Sequence, residues 1–264
     1  MVIQGGHQMQ IIHRNKFYIV LEFIKENYTL LNDSPIFIAA LTGIFCYKKY
    51  QGTMVQYFIY FLCYVFLVDF LGGYPKFVID YEFLNFLEEL IKGTVFEQNY
   101  WWFTLFWSVG SILFITFYYQ KILRNARYSK ILKYVRILFG IISISYILFN
   151  WNLYFVTGFP FIKVLGALVV FLCITFYFLE LLKGDTILAY NKSVNFYISV
   201  ALFIWWLVTT PVVFFDIYLN NQDMNYAITK ALIFLSSNIF MYLTFAFALI
   251  FCAEEKETQS IKSF

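Results

Sequence analysis

The sequence predicts an all-α, polytopic transmembrane bundle of seven spans, and three observations carry that expectation. Seven long apolar runs lie end to end, near residues 30–47, 55–73, 99–119, 134–150, 161–182, 194–218 and 228–252. Most are long enough to cross a hydrocarbon core of about 30 Å as helices. The 264 residues are 61% hydrophobic and 13% charged, against roughly 25% charged in an average soluble domain, which excludes a water-soluble fold. The third observation is a single short linker that gathers six basic residues and so orients the whole chain.

Residues 1–28 read as an N-terminal extension. Its apolar stretch FYIVLEFI (17–24) is too short to cross, and Arg14 and Lys16 precede it as in a signal peptide, but no small-residue cleavage site follows. An interfacial helix, or sequence upstream of the true start, fits better. The transmembrane unit is then 29–253, with 254–264 as a short tail. The first span closes on Lys48 and Lys49, and the second carries Asp69 in YVFLVDFLGG. The loop from Gly72 to about Asn99 holds Asp80, Glu82, Glu88, Glu89 and Glu97 against Lys76 and Lys92. Within it FLNFLEELIKG spaces Phe83, Phe86, Leu87 and Leu90 for one helical face, so a short amphipathic helix is expected on the membrane surface or capping the bundle, ended by Gly93.

Tyr100, Trp101 and Trp102 at one end of the third span, and Tyr118 and Tyr119 at the other, fit the aromatic belts of the two interfaces. The basic linker follows, with Lys121, Arg124, Arg127, Lys130, Lys133 and Arg136. Such a linker belongs in the cytoplasm, which predicts the N-terminus outside and the C-terminus inside. Residues 115–119 (ITFYY) echo 174–178 (ITFYF) at equivalent ends of the third and fifth spans. That echo marks either a duplicated hairpin or chance in a biased composition.

Charged residues inside spans are costly and are functional candidates by default. Asp69, Lys163 and Asp216 fall at one common depth, the outer third, and Glu180 lies at the inner end of the fifth span. On the sixth span Trp205, Thr209, Val212 and Asp216 share a helical face. Pro211 frees the carbonyl of Leu207, which the hydroxyls of Thr209 and Thr210 are placed to satisfy, so a kink is expected there. The functional reading is an outward-facing cavity lined by Asp69, Lys163, Trp205, Thr209 and Asp216. In the alternative, each charge snorkels to the nearby interface. Glu180 is expected to pair with Lys183, three residues on.

Catalytic signatures are lacking. The two histidines, His7 and His13, lie in the extension, so zinc chemistry of the H-E-x-x-H kind and His-dependent triads find no residues within the spans. Cys46, Cys63, Cys173 and Cys252 are scattered without a C-x-x-C pair. Gly110-Ser111 reads as small residues that let helices approach. No cofactor, metal or nucleic-acid partner is expected.

Tyr47-Lys48-Lys49-Tyr50 with 57–67, Tyr118-Tyr119 before the basic linker, Phe176-Tyr177-Phe178-Leu179-Glu180-Leu181-Leu182 and Phe196-Tyr197-Ile198-Ser199-Val200 give the chain its character. In these it resembles the small seven-span membrane proteins of flavobacteria-like bacteria, which look similar to the membrane-embedded sensor halves of histidine kinases. The resemblance implies a multi-pass protein of the bacterial cytoplasmic membrane. It also implies a non-enzymatic sensor or accessory protein that passes an outer-leaflet or periplasmic signal to a membrane kinase or regulator, with membrane lipids as its other partners. A transporter or channel for a small solute is the second reading, and a lipid-modifying enzyme near Asp216 the third.

Overall fold

The computed structural model describes residues 22–183, 192–215 and 224–252. All regular elements among them are helical. Seven helices are long and apolar enough to cross a membrane: α1 (Tyr28–Tyr50), α2 (Val55–Gly72), α3 (Tyr100–Ile122), α4 (Ala126–Phe149), α5 (Pro160–Lys183), α6 (Val194–Phe215) and α7 (Met224–Phe251). Helix is the form that lets these apolar runs satisfy every backbone group internally, whatever the weak helix propensity of their Phe, Tyr, Ile and Val. Residues 22–26 are also helical and lead into α1, whereas 1–21, which hold most of the expected extension, lie outside the described residues.

Six of the helices close a ring in the order α1, α2, α3, α5, α6, α7, with α7 packed back against α1. α4 stands outside that ring, against α3 and α5. Its position explains why so much of it, including Ile141, Leu148 and Phe149, faces outward.

The basic linker is mostly helix. α4 begins at Ala126, eight residues before its apolar run, so Arg127, Lys130, Lys133 and Arg136 lie on its first turns and the connection shrinks to 123–125. Asn125 caps α4, its side chain accepting from the backbone N–H of Arg127 and Tyr128. Hydropathy missed this start because charged residues are good helix formers at a membrane boundary. Glu180 does not reach back to Lys183 in the expected manner. Its two carboxylate oxygens accept the backbone N–H of Arg124 (2.7 Å) and Asn125 (3.0 Å), while Lys183 donates to the Tyr128 hydroxyl (3.3 Å).

At the opposite end, a helix not anticipated from sequence, Tyr74–Asp80, precedes a 3₁₀ turn (Glu82–Leu84) and the expected short helix, here Asn85–Ile91. Gly93 follows with φ +72°, the left-handed conformation that terminates it. This helix does not cap the bundle core: none of its residues is buried, and Phe86 and Leu90 are exposed along with neighbouring Phe83.

Tyr118 and Tyr119 are not belt residues. Both are fully enclosed, Tyr118 donating to the Asn195 side chain and Tyr119 bonded to the Ser199 hydroxyl at 2.7 Å. With Tyr50, Phe58, Ile198 and Leu249 they make a dense plug across the basic end of the ring. Tyr119 meets Tyr177 of α5 at 6.2 Å, but the two helices that carry the sequence echo differ in form, since only α3 has a π-helical half.

Candidate functional site

Above the plug, in the half of the bundle away from the basic end, the six ring helices enclose a cavity of about 180 Å³. Its floor is Phe61, Ile115, Leu202 and Phe245, next to the plug. An engineered cavity of about 150 Å³ lined by apolar groups holds a benzene ring, so this space suits a solute of roughly one ring's bulk.

The wall contributed by α3 departs from α-helix. Phe103–Ser111 is π-helical, and Phe103, Trp107, Ser108 and Ser111 all face the cavity from that segment. π-Helical turns are rare and concentrate at functional sites. Two residues hold this one in place from outside the cavity. The Tyr64 hydroxyl of α2 donates to the Phe106 carbonyl at 2.5 Å, and it does so through the space where a side chain at 110 would stand. A Cβ on Gly110 would lie 2.2 Å from that hydroxyl.

On the other side α6 presents Trp205, which is wrapped by the rings of Trp107 (6.4 Å), Trp206 (4.9 Å) and Phe234 (6.5 Å). A chain of polar groups starts from its indole. Trp205 Nε1 donates to Asn238 Oδ1 of α7 (2.6 Å), Asn238 Nδ2 donates to Asn32 Oδ1 of α1 (2.8 Å), and Asn32 Nδ2 donates to Asp33 (3.1 Å). One connected set of side chains therefore ties three helices, α1, α6 and α7, together beside the cavity. Ser111 behaves differently: it is 3% exposed, lines the cavity, and its hydroxyl has no partner among the described residues. Buried hydroxyls are normally satisfied, so an unpaired one aimed into a cavity marks where a polar atom of a bound molecule or water would sit.

Of the five residues proposed from sequence, Asp69, Lys163, Trp205 and Thr209 line this one cavity. Asp216 lies outside the described residues. Two details of the sixth span differ from expectation. Val213, not Val212, completes the cavity face with Trp205 and Thr209. The hydroxyls of Thr209 and Thr210 also do not serve the Leu207 carbonyl: within a helix that runs through Pro211 they donate to the carbonyls of Trp205 (2.7 Å) and Trp206 (2.5 Å), four residues back. Asn32 and Asn238 also line the cavity with no charge to mark them in the sequence, and Ser111, expected only as a small residue that lets helices approach, joins them. Asn in an apolar run is itself a signal, since its amide must find a partner across helices.

Among the described residues no group of His, Cys, Asp and Glu is placed to hold a metal ion. Comparison with protein families, curated proteins and solved structures gave no match for this chain.

Proposed function

We propose that this protein is a membrane sensor that takes a small solute into the cavity and passes the resulting movement along α1 and α7 to a partner at the basic end. The single observation behind the reading is a cavity lined by polar groups at one end and closed by buried tyrosines at the other. The buried tyrosines of the plug favour this reading over an open channel, which would need a path through them. The solute best matched to the lining has an apolar body for Phe61, Trp107 and Phe245 and a hydrogen-bonding head for Ser111 and the Asn32–Asn238 pair.

α1 and α7 suit the transmitting role because they are tied at two levels. Near the cavity Asn32 bonds Asn238. At the basic end Lys49 donates to the carbonyls of Leu249 (3.1 Å) and Ile250 (3.0 Å), and the Tyr50 hydroxyl to those of Leu249 (3.0 Å) and Cys252 (3.2 Å). Lysine at the last carbonyls of a helix also meets the negative end of its dipole. The positive-inside rule would put this end in the cytoplasm, beside a kinase or regulator of the bacterial inner membrane.

Three of the six tryptophans, Trp107, Trp205 and Trp206, line the cavity, so intrinsic fluorescence reports its occupancy. In nanodiscs, a panel of single-ring and short-chain solutes bearing amine, hydroxyl or carboxylate heads should include members that quench saturably. Ser111→Leu, which fills the cavity, should abolish the response. Proteoliposomes should show no flux of the same solutes. Flux at a steady rate would favour transport, and a response unchanged by Ser111→Leu would remove the cavity from consideration.

A further inference from the structure

A second concave surface lies outside the ring, on the membrane-facing side of α2, α3 and α4, and it shares no residue with the cavity. It is an open groove of about 640 Å³ walled by Tyr64, Gly110, Leu113, Phe114, Phe117 and, on α4, Ile137, Gly140 and Ile141. From Gly110 to Phe117 it runs roughly 10 Å along α3 at the helical rise. Nearly all of this lining is hydrocarbon. The exceptions are the Tyr64 hydroxyl, already bonded to the Phe106 carbonyl, and Arg136, which closes the end nearer the basic linker.

Arg136 does not stand alone there. Its guanidinium carbon lies 5.4 Å from the centre of the Phe117 ring, and Lys121 Nζ lies 5.6 Å from the same centre. Lys133, one turn earlier on α4, falls on the same helical face as Arg136. Two cations on one ring and a third a turn away repel one another, and among the described residues neither Arg136 nor Lys121 has a carboxylate partner. Arg136 is ten residues into α4, about 15 Å along its axis, so it stands at the head of the apolar groove and not out in the linker. Snorkelling alone accounts for one such arginine but not for the convergence of two cations at the mouth of an apolar furrow.

We propose that this groove binds one anionic phospholipid, its phosphate held by Arg136 and Lys121 and one acyl chain laid against Phe114, Leu113 and Gly140. The pairing of a hydrocarbon furrow with a cationic mouth matches the two ends of that molecule. An arginine guanidinium also presents the forked donors that phosphate oxygens accept. α4 is the helix outside the ring, and a lipid wedged between it and α2 and α3 would fill the side on which it lacks a helical neighbour.

Gly140 supplies a clean test. A Cβ there would meet only Leu113 Cδ2, at 3.7 Å, so Gly140→Leu can fill the groove without displacing the core. The full chain in neutral detergent is titrated with phosphatidylglycerol or with phosphatidylcholine of the same acyl chains. Retained lipid is counted by native mass spectrometry and Tm is followed in parallel. One phosphatidylglycerol should be held, about thirtyfold more strongly than phosphatidylcholine, as expected for two basic residues against an anionic headgroup. Arg136→Gln should cut the preference to about fivefold, the share left to Lys121, and Arg136→Lys should keep most of it. Gly140→Leu should lose retention of both lipids while its lipid-free Tm is undiminished. An unchanged preference in Arg136→Gln, undiminished retention in Gly140→Leu, or the same Tm rise from inorganic phosphate alone would overturn the proposal.

Discussion

Gly110→Ala is the sharpest perturbation of the cavity wall that leaves the cavity lining itself untouched. The added Cβ would stand 2.2 Å from the Tyr64 hydroxyl, well inside contact distance, so the phenol must swing away and release the Phe106 carbonyl it now holds at 2.5 Å. Losing that hydrogen bond costs about 1 kcal/mol, and overpacking at a tight site typically costs about 1–3 kcal/mol. The better helix propensity of alanine returns up to about 1 kcal/mol. The net expectation is destabilisation by about 1–4 kcal/mol. In a Tyr64→Phe background the nearest ring atom to the new Cβ is Cζ, at 3.4 Å, an ordinary contact, and there is no hydrogen bond left to break. Gly110→Ala should there be neutral or stabilising. The two single variants and the double variant therefore form a cycle with a coupling of about 2–4 kcal/mol, read from SDS-induced unfolding in mixed micelles followed by far-UV circular dichroism. Equal costs in the two backgrounds, or a neutral Gly110→Ala in the wild type, would refute the claim that Tyr64 holds the π-helical segment.

Other expectations follow from the same contacts. Asn238→Leu strands the Trp205 indole N–H and one Asn32 acceptor, so it should cost about 1–2 kcal/mol by the same assay, and adding Asn32→Leu should cost little more. Lys163→Met should lower thermal stability, and combining it with Asp69→Asn should be less than additive because both line one cavity; strictly additive changes would favour independent snorkelling. Glu180→Ala removes the acceptor of two backbone amides, so limited proteolysis should cut the 123–125 connection faster while cleavage elsewhere is unchanged. A reporter fused after Phe264 should read cytoplasmic and one inserted near Glu88 external, and the reverse at either place would contradict the orientation drawn from the basic linker.

The site was half legible before any coordinates. Asp69, Lys163, Trp205 and Thr209 could be assembled from depth and helical face, because a charge in an apolar run is costly enough to be noticed and the spacing of a helix fixes its direction. Asn32 and Asn238 were not singled out, and Ser111 only as a small packing residue, since an uncharged polar residue is cheap enough to occur anywhere and only its neighbour shows whether it bonds or waits for a ligand. Tyr118 and Tyr119 went wrong for a related reason: a tyrosine near a span end serves equally as an interface anchor or as a buried donor, and the choice belonged to Asn195 and Ser199, nearly 80 residues away. The amphipathic segment 83–93 was found from its period, but whether its apolar face met the core depended on where the rest of the bundle ended.

What the sequence determined by itself is the solvent and the local form. Seven apolar runs of bilayer length can only be helices in lipid, because no other open structure satisfies its own backbone there. The tertiary structure decided which six of those helices close a ring, which one stands outside, and where α3 winds as a π-helix. Lipid solvates leucine as well as another helix does, so hydrophobicity carries no information about partners within the membrane. That choice falls to close contacts such as Gly110 with Tyr64 and to hydrogen bonds such as Asn238 with Asn32, pairs whose members are far apart in the chain and meaningful only together.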